Sequence, residues 1–328
     1  MIEGMFFDMV KRYVLIALAA IFIVVGIWFW SALAPVAGQS ATPVTFVVAP
    51  GEGFSEIVNG LAVQGLIRSP LAFKVWVLVS GAASSLQPGV YQLDGTMPTP
   101  AIARALASND GRGVRITIPE GSDIFEIDKI LSDALVTLPG DFTKAANGRG
   151  LEGRLFPDTY QLTNGESTDE ILKTFMDNFG KKAKPLFAKN LTAETSTLIT
   201  ASMLEKEAPD QADQRVIAGI IAKRLTAGIP LGIDATVCYA EQVVHPSTVM
   251  NCASLAKSDF TIDSPYNTYL HRGLPPGSIG NPGTSSIEAA QNPTLSPYWY
   301  YLSDQKTGKI IYAKTLLEQN QNIQKYLK

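Results

Sequence analysis

The chain has 328 residues, 46% hydrophobic and only 17% charged, with a net charge of -3 at neutral pH. That length suggests about two domains and a sizeable core, and the lack of a basic run argues against nucleic acid as a partner. Two histidines and two cysteines, with no HExxH, CxxC, GxSxG or Walker pattern, give no reason to expect a metal, a cofactor or a Ser-His triad.

Taken in chain order, the first element is an apolar run. No charged residue occurs from Tyr13 to Ala37, and the core VLIALAAIFIVVGIWFWSALA is long enough to cross a bilayer as a helix. Lys11 and Arg12 precede it, and no further Lys or Arg comes before Arg68. This asymmetry predicts a cytoplasmic tail at 1–12, a transmembrane helix at 13–37 and an exported remainder, with Trp28 and Trp30 near the far interface. A cleaved signal peptide ending near Val36-Ala37-Gly38 is the alternative; the run is longer than a signal h-region, which favours a retained anchor. In an oxidising compartment Cys238 and Cys252 either pair or stay as buried thiols, and the sequence leaves both open.

Residues 38–43 read as a linker. VTFVV (Val44–Val48) is a strand by composition, followed by Pro50-Gly51-Glu52-Gly53 and a helix carrying Ile57 and Leu61. Leu71–Val79 reads as a helix, Leu86–Leu93 as a strand and Pro98–Leu106 as a short helix. VTFVVAPGEGFSEIVNGL is echoed by VRITIPEGSDIFEIDKIL at Val114–Leu131. Two copies do not make a solenoid; they suggest a strand-helix-helix-strand module and a second piece resembling its start.

From about Gly150 the character changes. GRLFPDTYQL is turn-rich, and Asp169–Phe179 and Thr197–Ala208 read as helices. Asp213–Ala227 has Val216, Ile217, Ile220, Ile221 and Leu225 on one face and Gly228 as a stop. A long irregular stretch, SPYNTYLHRGLPPGSIGNPG, follows at Ser264–Gly283. Ser285 and Glu288 have capping-box spacing, PYWYYLS and KIIYA read as strands joined at Gly308, and Leu316–Leu327 as an amphipathic helix. The fold class predicted for the exported part is α+β.

The chemistry-bearing stretch is ASMLEKEAPD, Ala201–Asp210. Residues two apart on a helix lie about 200° apart, so Glu205 and Glu207 point to different sides. Glu207 continues the stripe of Ile199, Met203 and Leu204; Glu205 lies nearer the weakly polar side with Ala201 and Ser202. A carboxyl among apolar groups is held protonated toward neutral pH, which suits a proton donor for glycoside cleavage. Two solvated charges at a helix end before Pro209 is the plainer reading, and geometry alone favours it, because charged residues are rarely buried.

ASMLEKEAP, IAGIIAKRLTAGIPLGIDATVCYA, SPYNTYLHRGLPPGSIGNPGTSSIEAAQNP and FPDTY together resemble the endolytic murein transglycosylases of the MltG (YceG-like) family. The resemblance spans nearly the whole chain. It implies a single anchor, a LysM-like module at 44–112 and a catalytic domain at 113–328. It implies that Glu207 is the catalytic acid; for Glu205 a supporting role is open, with a solvent-facing one the safer reading. The implied reaction is non-hydrolytic cleavage of the MurNAc–GlcNAc bond of peptidoglycan, leaving 1,6-anhydro-MurNAc ends and terminating strand growth. The location implied is the cytoplasmic membrane, with the catalytic domain outside and glycan synthases (penicillin-binding proteins) as partners.

Asp234 fits a helix N-cap and a substrate contact equally well. Tyr266, Asn267 and Thr268, in a Pro-bounded loop, suit sugar contact or closure of that loop, with sugar contact favoured. Arg224 reads as a solvated helix end, Glu205 as the solvent-facing member of the pair, Asp158 as a turn residue, and GLPPGSIGNPG as scaffold. The sequence departs from the family at Ala208, often Thr, and at Gln319 and Lys309, where many members have His. A muramidase-type hydrolase and a catalytically silent wall-binding scaffold are the competing readings.

Overall fold

The computed structural model describes residues 2–36, 42–49, 51–82, 85–107, 113–163, 165–188, 193–246, 252 and 255–327. Two compact units form, one from Met1–Val114 with Leu162–Glu166, the other from Arg115–Gln161 and Ser167–Lys328. Most of the expected linker, and Pro50 of the first turn, lie outside the described residues. Secondary structure is mixed α and β, with all described strands in two-stranded sheets.

The first unit opens with α1 (Ile2–Ala32), whose segment Lys11–Ala32 is long and apolar enough to span a bilayer, at a mean hydropathy of 2.6. The helix ends at Ala32, short of the expected Ala37, because Pro35 cannot continue it. Next come β1 (Val44–Val48), α2 (Phe54–Val63), α3 (Pro70–Val79), β2 (Gly89–Leu93) and α4 (Thr99–Ala107). The β1 and β2 strands pair antiparallel, with Phe46 opposite Tyr91 and Val48 opposite Gly89. Alternation along β1 buries Phe46 and Val48, and these pack on Ile57, Leu61, Phe73 and Ile102. Ser69 caps α3 by accepting from the Ala72 N–H, and Pro70 occupies the first turn, where its missing N–H costs nothing.

The second unit repeats the opening phrase of the first. Strand β3 (Val114–Thr117), paired with β4 (Thr159–Leu162), leads into α5 (Ile124–Asp133). Both α2 and α5 start with a glutamate reaching back to the backbone, Glu56 to Gly53 and Glu126 to Asp123. A short helix, α6 (Asp141–Asn147), was not expected; Asp128 anchors its start by accepting from the N–H groups of Gly140 and Thr143.

Helices α7 (Thr168–Lys182), α8 (Glu194–Glu207), α9 (Gln211–Thr226), α10 (Asp234–Val244) and α11 (Thr284–Gln291) follow, then strands β5 (Tyr300–Ser303) and β6 (Ile310–Ala313) and helix α12 (Leu316–Tyr326). The hairpin turns at Gly308, φ 69°, and sets Tyr301 opposite Tyr312. The expected capping box at Ser285 and Glu288 does not form. Gly283 is the N-cap, Ser286 is buried, and Glu288 instead accepts from Gln211 Nε2 at 3.2 Å.

Helix α8 runs through the middle of this unit, against α9, α10 and α11. Ile199, Met203 and Leu204 join a core with Ile217, Ile221, Leu231 and Ile279. Ala201 and Ser202, expected on the weakly polar side, are also fully buried. The Ser202 hydroxyl is satisfied there, donating to the Ile199 carbonyl at 2.8 Å and accepting from the Ile279 N–H at 3.0 Å. Close packing also fixes Gly219 on α9: a Cβ there would sit 2.1 Å from the Thr294 carbonyl oxygen.

Candidate active site

Helix α8 ends at Glu207 because Ala208 turns extended (φ -151°, ψ 135°) and Pro209 follows. Its two last-turn carboxylates part as the helical geometry requires. Glu205 accepts from the Gly283 N–H at 2.9 Å and packs on Gly121. It is half-buried rather than solvent-facing, because the folded-back 264–283 segment covers it. Burial, and after it the Glu205 charge, raise the pKa of Glu120.

Glu207 opens into a cleft of about 700 Å³ whose wall also includes Arg224, Asp234, Tyr269, Tyr300, Tyr301 and Gln319. Desolvation pushes its pKa up to about 7; the Tyr301 hydroxyl, donating to the carboxyl, pulls it down, and the nearby Asp234 charge adds to the rise. Near neutral pH the group is therefore poised between acid and base. The Tyr301 phenol is held far above its ordinary pKa by burial and by Glu207, so it stays a donor.

The cleft wall is built from the end of α9. Lys223 Nζ donates to the carbonyls of Ser296 and Tyr298, at 2.6 and 2.7 Å, and lies 4.8 Å from the Trp299 ring centroid. Arg224 Nε donates to the Trp299 carbonyl at 2.9 Å, and one terminal nitrogen to the Leu231 carbonyl at 2.7 Å. The guanidinium also lies 5.0 Å from the Tyr300 ring. Arg224 is thus no solvated helix end: it clamps the strand bearing Tyr300 and Tyr301 to the segment leading into Asp234. Gln319 Nε2 donates to the Tyr301 carbonyl at 3.0 Å, while its buried Oε1 has no hydrogen-bond partner among the described residues.

Asp234 lies on the cleft, at the first position of α10 and not at its N-cap, which is Ile233. The Tyr269 hydroxyl donates to it at 2.5 Å. Asn267 and Thr268, expected to favour sugar contact, are 0% and 1% exposed. Asn267 Nδ2 donates to the carbonyls of Phe260 and Ile262, and its Oδ1 accepts from the Tyr269 N–H. The Thr268 hydroxyl accepts from the Ile233 N–H at 3.0 Å and pairs with the Thr236 hydroxyl at 2.8 Å. With their polar atoms engaged inside the protein, both hold the loop shut. Tyr266 packs edge-on against Tyr239, 4.9 Å between centroids, and is not part of the cleft wall.

Sequence reasoning passed over Tyr301, Tyr269 and the clamping role of Arg224, which come from segments far apart in the chain. It also passed over Glu152. This carboxylate accepts from the Ile124 N–H, the Tyr239 hydroxyl and Asn281 Nδ2, at 3.1, 3.0 and 2.8 Å. Burial, then the Asp123 charge, raise its pKa to about 8. It ties α5, α10 and the GLPPGSIGNPG segment together behind α8. Asp158 accepts from Asn178 and Lys182. Cys238 and Cys252 are joined as a disulfide with their Cα atoms 5.5 Å apart. Ala208 is buried in the apolar core, so a side-chain hydroxyl there would point into it. Among the described residues, no group of three or more His, Cys, Asp or Glu is gathered as a metal site.

The YceG-like family profile matches residues 46–325. A Bacillus subtilis protein named endolytic murein transglycosylase is 32% identical over 90% of this chain and 88% of its own length. A Streptococcus pneumoniae protein of the same name is 26% identical over 90% of this chain, which spans 60% of that longer relative. A crystal structure of a yceG-like protein from Listeria monocytogenes superposes with a TM-score of 0.52 at 28% identity, covering 86% of this chain and 99% of that one.

Proposed function

The chain belongs to the YceG-like family, and from that premise we propose that it is an endolytic murein transglycosylase, a lyase acting on peptidoglycan, with Glu207 as its acid and base. The observation that carries the assignment is the Glu207 carboxyl, desolvated to a pKa of about 7 in a cleft lined with tyrosines.

In this reading, protonated Glu207 gives its proton to the oxygen of the MurNAc–GlcNAc bond, and that bond breaks. Positive charge builds on the sugar ring, where the Asp234 carboxylate stabilises it electrostatically. The ionised Glu207 then takes the proton from the MurNAc C6 hydroxyl as that oxygen closes on C1. The 1,6-anhydro product forms and the acid is regenerated. The nucleophile is the substrate's own hydroxyl, so a second catalytic carboxylate is not required. Tyr269 and Tyr300 offer ring faces for sugars.

A hydrolase is the second reading, and the observation favouring it is Asp234, a second carboxylate on the same cleft. Digestion of peptidoglycan by the full chain, with mass spectrometry of the fragments, separates the two. Anhydro ends support the lyase, and reducing ends support the hydrolase. Full activity in Glu207→Gln would remove the assignment altogether, while glycan binding without cleavage by the wild type would favour a silent scaffold.

The strand-helix-helix-strand order of the first unit supports a LysM-like glycan-binding module over 44–112, followed by the catalytic domain at 113–328. The apolar helix at Lys11–Ala32, with Lys11 and Arg12 ahead of it, supports a single-pass anchor in the cytoplasmic membrane, N-terminus inside. So placed, the enzyme meets nascent glycan strands beside the synthases, the penicillin-binding proteins, and its cuts terminate strand growth.

A further inference from the structure

Helix α3, PLAFKVWVLV, is apolar almost all round, with Lys74 its only charge. Such a helix is normally buried on every side. Here only Ala72, Phe73 and Val77 are buried. Leu71, Val75, Leu78 and Val79 are left exposed, Leu78 at 64% and Val79 at 81%. Their spacing, i, i+4, i+7 and i+8, makes one continuous stripe.

The neighbour of this stripe is the end of the apolar helix α1. Ala32 and Leu33 are buried against Ala72, with Phe29 and Trp76 packed around them. Hydrogen bonds tie the end of α1 down as well: the Thr99 N–H donates to the Leu33 carbonyl, the Val36 N–H to the Gly95 carbonyl, and the Arg68 side chain, through Nε, to the Pro35 carbonyl. Val75 and Val79 follow Ala72 by three and seven residues. The exposed stripe therefore borders the α1-facing edge of α3 and does not lie opposite it.

From Tyr13 to Ala32 the apolar part of α1 is about 30 Å long, the thickness of a bilayer's hydrocarbon core, with nothing to spare. Its last turn must then lie at the membrane boundary, and α3, packed on that turn, lies at the same level. Trp76, Arg68 and Lys74 are residue types suited to the headgroup region, where amphipathic rings and cations gather.

We propose that the Leu71–Val79 stripe of α3 is a second membrane contact, seated in the outer face of the bilayer beside the exit of α1. It fixes the module's orientation to the lipid surface in addition to tethering it. The occupant is lipid, because the stripe continues the surface of a membrane-spanning helix. This inference rests on the anchor reading above.

The test uses the full chain reconstituted into vesicles of phosphatidylcholine and phosphatidylglycerol. Leu78→Cys, Val79→Cys and Gln92→Cys are each labelled with an environment-sensitive fluorophore; Cys238 and Cys252, being disulfide-bonded, do not react. Gln92 lies exposed on β2 of the same unit and serves as the reference. A probe at Leu78 or Val79 should emit to the blue, and doxyl-labelled lipid should quench it at least about twofold more strongly than at Gln92. Vesicle-retained chain with equal quenching at all three sites overturns this inference and leaves the anchor standing. A probe shielded from water but unquenched by doxyl lipid means a protein surface covers the stripe, and again overturns it. Chain released from the vesicles by alkaline carbonate overturns the anchor reading and the inference with it.

Discussion

The Tyr301 hydroxyl donates to the Glu207 carboxyl, joining a hairpin strand to the last residue of α8. This bond favours the carboxylate, whereas burial and Asp234 favour the acid. The poise of Glu207 is set by groups 94 and 27 residues away in the chain.

That balance predicts opposite shifts in two variants. A proton donor with a pKa of about 7 loses activity as pH rises through that value. Tyr301→Phe removes a donor that stabilises the carboxylate, so the pKa rises and the alkaline limb of the pH–rate profile should move to higher pH. Asp234→Asn removes a like charge, so that limb should move to lower pH. Profiles of glycan release for the two variants beside wild type check this; a shift of both in one direction would sink the model of the site.

Glu207→Gln should reduce release of anhydro fragments by about three orders of magnitude or more while leaving thermal stability unchanged or slightly higher. The amide cannot supply the proton, and a raised-pKa carboxyl is itself a cost to the fold when ionised. Product mass spectrometry and a melting curve on the same preparation separate the two effects.

Arg224→Ala should destabilise the second unit by about 2–4 kcal/mol, since charged hydrogen bonds to the carbonyls of Trp299 and Leu231 are lost together. Hydrogen exchange should quicken at β5 first. Because β5 carries Tyr301, activity should fall more steeply than stability.

Glu152 gives a stability test that depends on pH. Its folded-state pKa is raised to about 8 from 4.5. Between those values the folded state holds a proton that the unfolded state has lost, so this group's contribution declines as pH rises and levels off above about 8. Glu152→Gln cannot titrate, and the stability difference between wild type and variant should shrink or change sign along that window. Glu152→Ala should cost about 3 kcal/mol or more at acid pH, because three donors lose their acceptor. Chemical denaturation at several pH values measures both.

Gly219→Ala should destabilise by about 1–3 kcal/mol despite higher helix propensity, because the new Cβ meets the Thr294 carbonyl oxygen at 2.1 Å. A variant as stable as wild type would mean that the 292–299 segment does not pack on α9 as described.

Much was legible in the sequence because it depended on local pattern. The apolar run of α1, the strand and capped helix repeated at Val44 and Val114, and the stripe on α9 are set by periodicity and composition over a few turns. The parting of Glu205 and Glu207 is likewise helical arithmetic. Where the reading went astray, long-range packing had overruled local chemistry. Ser202 and Glu205 look surface-facing until the 264–283 segment folds over α8. Asn267 and Thr268 look like sugar ligands until their polar atoms are found engaged with the backbone around Phe260, Ile262 and Ile233. Arg224 looks solvated until the hairpin delivers carbonyls to it.

By itself, then, the sequence determined that one of two glutamates lay on an apolar face of a helix. Only the tertiary structure decided how that carboxyl titrates. A pKa responds to desolvation and to charges within a few ångströms, and the neighbours that act on Glu207, Tyr301 and Asp234, are brought to it by packing that no local pattern encodes.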